Sequence, residues 1–187
     1  KQYSFLDVLN SVVAMFLSAI PAFWLGLLSI LLFALKLRLL PSDGADTASA
    51  FILPIVTLAL PGAAELLRLT RSTMLEIIRQ DYIRTARAKG ASERIVIWRH
   101  ALRNATLPII TVAGMYFGSL LGGSVITESV FSMPGVGSLT ITAIRSKDIP
   151  QVMACVLLMA ALFCLIMLLV DLLYAFLDPR IRARYTK

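Results

Sequence analysis

The chain has 187 residues, of which 58% are hydrophobic and 16% charged, with a formal net charge of +7. Soluble domains carry about 45–50% apolar residues, so this composition, with a mean hydropathy of +0.82, excludes an ordinary water-soluble domain. The positive charge admits either a nucleic acid or an anionic membrane surface as partner, and its distribution along the chain decides between them.

The chain opens on Lys1 rather than Met, and residues 1–10 read as the middle of a longer sequence, so an N-terminal truncation is expected. A membrane-crossing helix needs about 20 apolar residues. Val12–Leu35 is uncharged throughout and predicts a first span over about 11–36. A second, over about 49–73, contains Pro54 and Pro61 and is followed into its polar end by Glu65. Proline is tolerated in such helices because neighbouring helices re-satisfy the freed carbonyls. The third span is predicted over about 105–127 and the fourth over about 150–174. The expected fold class is therefore an all-α, polytopic transmembrane bundle, one domain over 1–187, with a helical loop at 76–104 and a second loop at 128–149.

Four spans put the two termini and the 76–104 loop on one side. All of the 18 basic residues except Lys36, Arg38, Arg145 and Lys147 then fall on that side. An excess of Lys and Arg marks the cytoplasmic face. Membrane sidedness accounts for the charge, and no aromatic-interleaved basic face stands out, so no nucleic-acid partner is expected.

Glu65 is the one acid in the inner third of a span, where ionisable groups are costly and mark pathways. Arg68 lies three residues on, where an i,i+3 ion pair fits. That pair, or an interfacial location, is the favoured expectation over a proton-relay or substrate role for Glu65.

The segment RQDYIRTARAKGASERIVIWRHALRNATLP (79–108) is too basic for lipid and too rich in helix formers for a limp linker. Asp81 is placed to cap a helix over Tyr82–Lys89, and Lys89 suits the negative end of its dipole. Gly90 sits where a left-handed C′ residue ends a helix. Ser92 is placed to cap a second helix in which Ile95, Trp98 and Leu102 share a face, with Arg99 and Arg103 on another. Such a loop either rests among lipid headgroups or docks a partner, and small Thr85, Ala86 and Ala88 would let the first helix enter a groove.

Gly114, Gly118 and Gly122 repeat every four residues in the third span, with Gly123 adjacent. This spacing allows close helix approach, either within the chain or at a subunit or moving interface. In 128–149, Pro134 to Gly137 breaks the chain, and Leu139–Ile144 predicts a short helix on the outer face. Asp171 and Asp178, near Arg180 and Arg182, read as anchors closing the last span. Cys155 and Cys164, nine positions apart, face opposite sides of one helix and cannot pair. His100 is the only histidine, so no multi-histidine metal site is expected. No G-x-x-x-x-G-K-[ST] loop, H-E-x-x-H or G-x-S-x-G occurs, so neither nucleotide hydrolysis nor these hydrolase chemistries are expected of this chain.

The run DYIRTARAKGAS…RHALRNATLP, with ITESVFSMPGVGSL and the ending VDLLYAFLDPRIR, resembles the membrane-spanning permeases of ATP-binding-cassette importers of the dipeptide, oligopeptide and nickel class. The resemblance covers essentially the whole chain. The family's Glu-Ala-Ala-x-x-x-Gly motif, matched on Gly90, falls on Arg84, Thr85 and Ala86, of which only Ala86 and Gly90 are kept. The resemblance implies a non-catalytic permease whose Asp81, Tyr82, Arg84–Lys89 and Gly90 form the coupling loop for a cytoplasmic ATPase. That partner would carry ATP with Mg2+; this chain would hold no cofactor or metal. It further implies a second, usually different permease subunit, an external substrate-binding protein facing 128–149, and a bacterial inner-membrane location. The cargo would be peptides, nickel, metal chelates or glutathione. The alternative is an ion-coupled secondary transporter or a channel subunit, with Glu65 as its relay.

Overall fold

A computed structural model describes residues 3–177; Lys1, Asp178, Arg180 and Arg182 lie outside the described residues. Those residues are all helix and connection, with no strand among them. The elements are α1 (Phe5–Ala19), α2 (Ala22–Ser29, continued by a wide π-helical stretch, Ile30–Lys36), α3 (Ile52–Ile78, entered through a tight turn at Ala48–Phe51) and α4 (Asp81–Ala88). They are followed by α5 (Glu93–Ile95, running through a second π-helical stretch, Val96–Ala101, into α6), α6 (Leu102–Val130), α7 (Val136–Arg145) and α8 (Ile149–Leu177).

Three continuous helices are long and apolar enough to cross a bilayer: Ala48–Ile78, Glu93–Gly122 and Ile149–Leu173. At 1.5 Å per residue the first two measure about 45 Å. They outrun a hydrocarbon core of about 30 Å, so their polar ends project from it. Only 6% of the most apolar stretch of α8 is buried within the chain, at a mean hydropathy of 3.0. A helix apolar all round and unburied by its own chain requires lipid or other protein as its solvent. The interior tells the same story. The buried apolar residues are few and mostly small, among them Ala14, Ala50, Ala64, Ala105 and Ala143, while Phe16, Leu31, Phe117, Leu157 and many similar side chains face outward. The polytopic bundle expected from composition is the observed fold.

The first span departs from expectation. The segment 11–36 is not one helix but two, bent by 99° between Ala19 and Ala22. Pro21 explains the break: it has no N–H to continue the ladder, and its ring forces the preceding residue out of the helical region. Ile20 accordingly sits at φ −81°, ψ 125°, and Pro21 at φ −60°, ψ 135° opens α2. Pro61, by contrast, stays inside α3. Pro61 offers no N–H to the turn before it, and in that loosened turn the Tyr116 hydroxyl of α6 donates to the Leu58 carbonyl at 2.9 Å.

α3 packs against α1, α2 and α6, and α6 against α7 and α8. Glycines permit the close approach at several of these contacts. A Cβ on Gly62 would overlap the Tyr116 ring, and one on Gly137 would stand 2.5 Å from the Val125 Cα. At the far end of α6, Phe131 is buried and its carbonyl accepts the Gly44 N–H at 3.1 Å. Glu128 then reaches the opening turn of α7, accepting the Ser138 N–H at 2.8 Å. A carboxylate there satisfies an orphan donor and opposes the positive end of the helix dipole. The helix predicted at Leu139–Ile144 is the core of the longer α7.

Candidate functional site

α4 lies across the ends of the two long helices α3 and α5–α6. Its sequence, DYIRTARA, holds one large aliphatic side chain, Ile83, and that residue is fully buried. Ile83, Val96 and Ala101 form a small core, with Met74, Ile77, Ile78 and Ala91 packed around it. Burying an isoleucine stabilises by about 1.5–3 kcal/mol, so Ile83 pins α4 in place. Tyr82, Arg84, Thr85, Arg87, Ala88 and Lys89 remain exposed on the outer side, and Ala86 is half-buried.

The two ends of α4 compare differently with expectation. Asp81 is not the N-cap: Gln80 takes that position without a side-chain hydrogen bond, and the helix includes Asp81 in its first turn. Its carboxylate stands 3.5 Å from Arg84, in an exposed pair. At the C-terminus α4 ends at Ala88 with Lys89 as its cap, and Gly90 takes the left-handed C′ position expected of it. Gly90 adopts φ +83°, its N–H donates to the Arg87 carbonyl at 2.9 Å, and the Ala91 N–H donates to Ala86 at 3.2 Å. Those two bonds are the paired closure of a Schellman motif.

Arg87 bridges the turn. Its Nε lies 2.6 Å from Glu93 Oε1 and its Nη2 3.3 Å from Oε2, tying α4 to the start of α5. The hydrogen bond to Arg87 holds the Glu93 carboxyl below its ordinary range, and Arg87 is raised by the same bond. Ser92 occupies the N-cap of α5 but makes no side-chain cap bond. The face expected to unite Ile95, Trp98 and Leu102 is not the buried one. The π-helical stretch Val96–Ala101 adds residues to the turn and shifts the phase, so Val96 and Ala101 face inward and Trp98 is 66% exposed.

Glu65 and Arg68 do not form the expected ion pair. Arg68 reaches instead to Ser18 Oγ on α1, at 3.2 Å, and Glu65 has no hydrogen-bond or ion-pair partner among the described residues. The strong pair on α3 is one the sequence reading missed: Arg71 grips Asp7 of α1. In the sequence Arg71 reads only as a topological charge. Of the glycine stripe, Gly114 abuts Val170 and Gly118 abuts Phe163, both on α8, whereas Gly122 meets nothing. Intramolecular packing thus accounts for two of the three. Cys155 and Cys164 are both free, one buried and one exposed. No group of three or more His, Cys, Asp or Glu side chains that could hold a metal occurs among the described residues.

The pattern that defines binding-protein-dependent transport system inner membrane components matches residues 1–183. The chain belongs to that family. The inner membrane component is 47% identical over 162 residues to the glutathione transport system permease protein GsiC of Pectobacterium atrosepticum, an alignment covering 87% of this chain and 53% of that protein. It is 44% identical over 176 residues to the GsiC protein of Escherichia coli K12, covering 94% of this chain and 58% of that one. The GsiC protein of Shigella flexneri aligns to the same extent. The chain therefore spans a little over half the length of these curated relatives. They are named as permease proteins of a glutathione transport system, in keeping with the permease resemblance of the loop and closing motifs.

Proposed function

We propose that this chain forms part of the substrate pathway of an importer permease and transmits the state of a cytoplasmic ATPase through α4. The observation that carries the reading is the seating of α4: a short helix pinned by Ile83 across the ends of two membrane-length helices, with its opposite side open. Force applied to such an element reaches α3 directly and α6 through the π-helical stretch that runs into it, because α3 and that stretch supply the core that holds α4.

The Arg-rich end that carries α4 is the cytoplasmic one in this reading, and the chain is multi-pass in a bacterial inner membrane with both of its ends on that side. ATP and Mg2+ sit on the partner ATPase. A second permease subunit of different sequence completes the pathway, and an external binding protein delivers cargo to the side of α7. The cargo class is a short peptide, glutathione being the example named by the relatives, in preference to nickel or a metal chelate.

Co-purification of the full-length chain with its candidate ATPase tests the coupling role. Wild type should retain the ATPase, and Gly90→Val, which forces a β-branched residue into a left-handed position, should lose it while the membrane helices remain folded. Retention by both, or by neither, overturns the assignment of α4.

A further inference from the structure

The side of α3 that faces α1 carries a row of charges. One groove of about 610 Å3 is lined by Ser11 and Met15 of α1 and by Glu65, Arg68 and Ser72 of α3. A second, of about 600 Å3, shares Arg71 and Ser72 with it and continues past Glu76 to Asp81. The two adjoin at Arg71 and Ser72, the first a mainly apolar groove into which Glu65 and Arg68 bring charge, the second reaching the first residue of α4. Each part falls within the roughly 300–1,000 Å3 typical of small-ligand sites.

Within these grooves the charges are unequally committed. Arg71 is taken by Asp7 in a two-point pair. Among the described residues Glu65 is unpaired, and Arg68 makes only the bond to a neutral hydroxyl, Ser18. The two lie one helical turn apart, about 4.5 Å along the axis, and still do not neutralise one another. Opposite charges at i,i+3 gain by pairing, and ionisable groups within a span are costly to leave unpaired. Leaving both open to the same groove, on a residue spacing that would allow closure, is the arrangement of a site that pairs with something else.

We propose that Glu65 and Arg68 read the zwitterionic character of a short peptide in transit. This rests on the pathway reading above. The Glu65 carboxylate takes the free ammonium group and the Arg68 guanidinium takes a free carboxylate, whose planar oxygens match its fork of donors. Ser18 holds Arg68 toward the groove between substrates. Because the pair is charge-balanced, it favours a molecule with both charges over one with either alone, and it leaves the side chain of the cargo unread. The Asp7–Arg71 pair next to it fixes the wall and keeps a further cation from competing for the carboxylate.

The test uses the assembled transporter in nanodiscs, with both permease subunits and the ATPase but without the binding protein, so that selection by the binding protein does not enter. Equilibrium binding is measured for alanyl-alanine, N-acetyl-alanyl-alanine and alanyl-alanine amide. Wild type should prefer the free dipeptide over either blocked form by roughly tenfold, the worth of one charge-assisted contact. Glu65→Gln should erase the preference over the N-acetyl form and keep the preference over the amide. Arg68→Gln should do the reverse. Equal binding of all three peptides by wild type, no detectable binding of any, or equal losses for all three in each variant would each overturn the proposal. Binding-protein-stimulated ATP hydrolysis by the assembled transporter is read separately. Its absence would sink the importer assignment, whereas its presence alongside unselective peptide binding would sink only the role of Glu65 and Arg68.

Discussion

Arg71 of α3 meets Asp7 of α1 at two points, Nε to Oδ1 at 2.6 Å and Nη2 to Oδ2 at 2.7 Å, across a sequence separation of 64 residues. Fork-to-carboxylate pairing of this kind is directional, unlike an ordinary surface ion pair. It fixes α1 against α3 although Pro21 disconnects α1 from the direction of α2. Asp7→Asn and Arg71→Gln should each lower the midpoint of thermal unfolding. The charge-exchanged double variant, Asp7→Arg with Arg71→Asp, should recover part of the loss. A double-mutant cycle with strictly additive losses would show that the two residues act independently.

Gly62 and Tyr116 make a second contact between α3 and α6, one that depends on the absence of a side chain. Gly62→Ala places a methyl into the Tyr116 ring, and the ring is held by its bond to Leu58. Overpacking of this kind costs about 1–3 kcal/mol. The loss should be relieved when Tyr116 is also made Ala, because the obstructing ring is gone. Tyr116→Phe alone tests the hydroxyl: it removes one donor near the proline-loosened turn of α3, and the expected cost is about 1 kcal/mol. Thermal unfolding in detergent reads all three.

What could be read from the sequence was whatever one segment settles by itself. The apolar runs located α3, α6 and α8, and the glycine at 90 located the end of α4, because a left-handed C′ residue is a local requirement. The break at Pro21 is not visible to hydropathy, which does not register a missing N–H. Partners were not legible where the choice lay between helices. Arg68 had an acid three residues away and bonded to Ser18, and Arg71 found Asp7 on another element. The inward turn of Val96 and Ala101 depends on a π-helical stretch that no periodicity of 3.6 anticipates. The Gly62 contact is visible only once Tyr116 is placed against it.

Ile83 supplies the direct test of how α4 is held. Ile83→Ala should cost about 2–5 kcal/mol if the surrounding side chains cannot close over the space. The whole of that loss should be local, appearing as faster amide exchange over 81–91 with the exchange of α8 unchanged. Equal acceleration in α8 would mean that α4 is part of the global unit rather than a pinned attachment to it.

Gly90 separates strain from contact. Nothing lies within 4 Å of where its Cβ would be, so a substitution there meets only the backbone penalty. Gly90→Ala should destabilise the loop by about 1–2 kcal/mol, Gly90→Asn by less, and Gly90→Val by more, in the order set by tolerance of positive φ. A ranking by side-chain volume instead, with Asn worse than Ala, would mean that a neighbouring element closes over the turn.

The Arg87–Glu93 bridge makes the attachment of α4 to α5 dependent on pH. Glu93 is held below its ordinary range by the hydrogen bond from Arg87, so the folded form favours the ionised carboxylate. A depressed carboxyl stabilises fully above its unfolded value, about 4.3, and that contribution is lost as pH falls through the folded value. A spin label at position 88, in a background with Cys155 and Cys164 replaced by Ser, reports the mobility of α4. Its spectrum should stay constant from pH 8 to about 5 and sharpen toward the mobile form below about 4. Glu93→Gln should show the mobile component at every pH. Were the wild-type spectrum flat down to pH 3, Ile83 alone would be holding the helix, and the bridge would be a surface pair of no mechanical consequence.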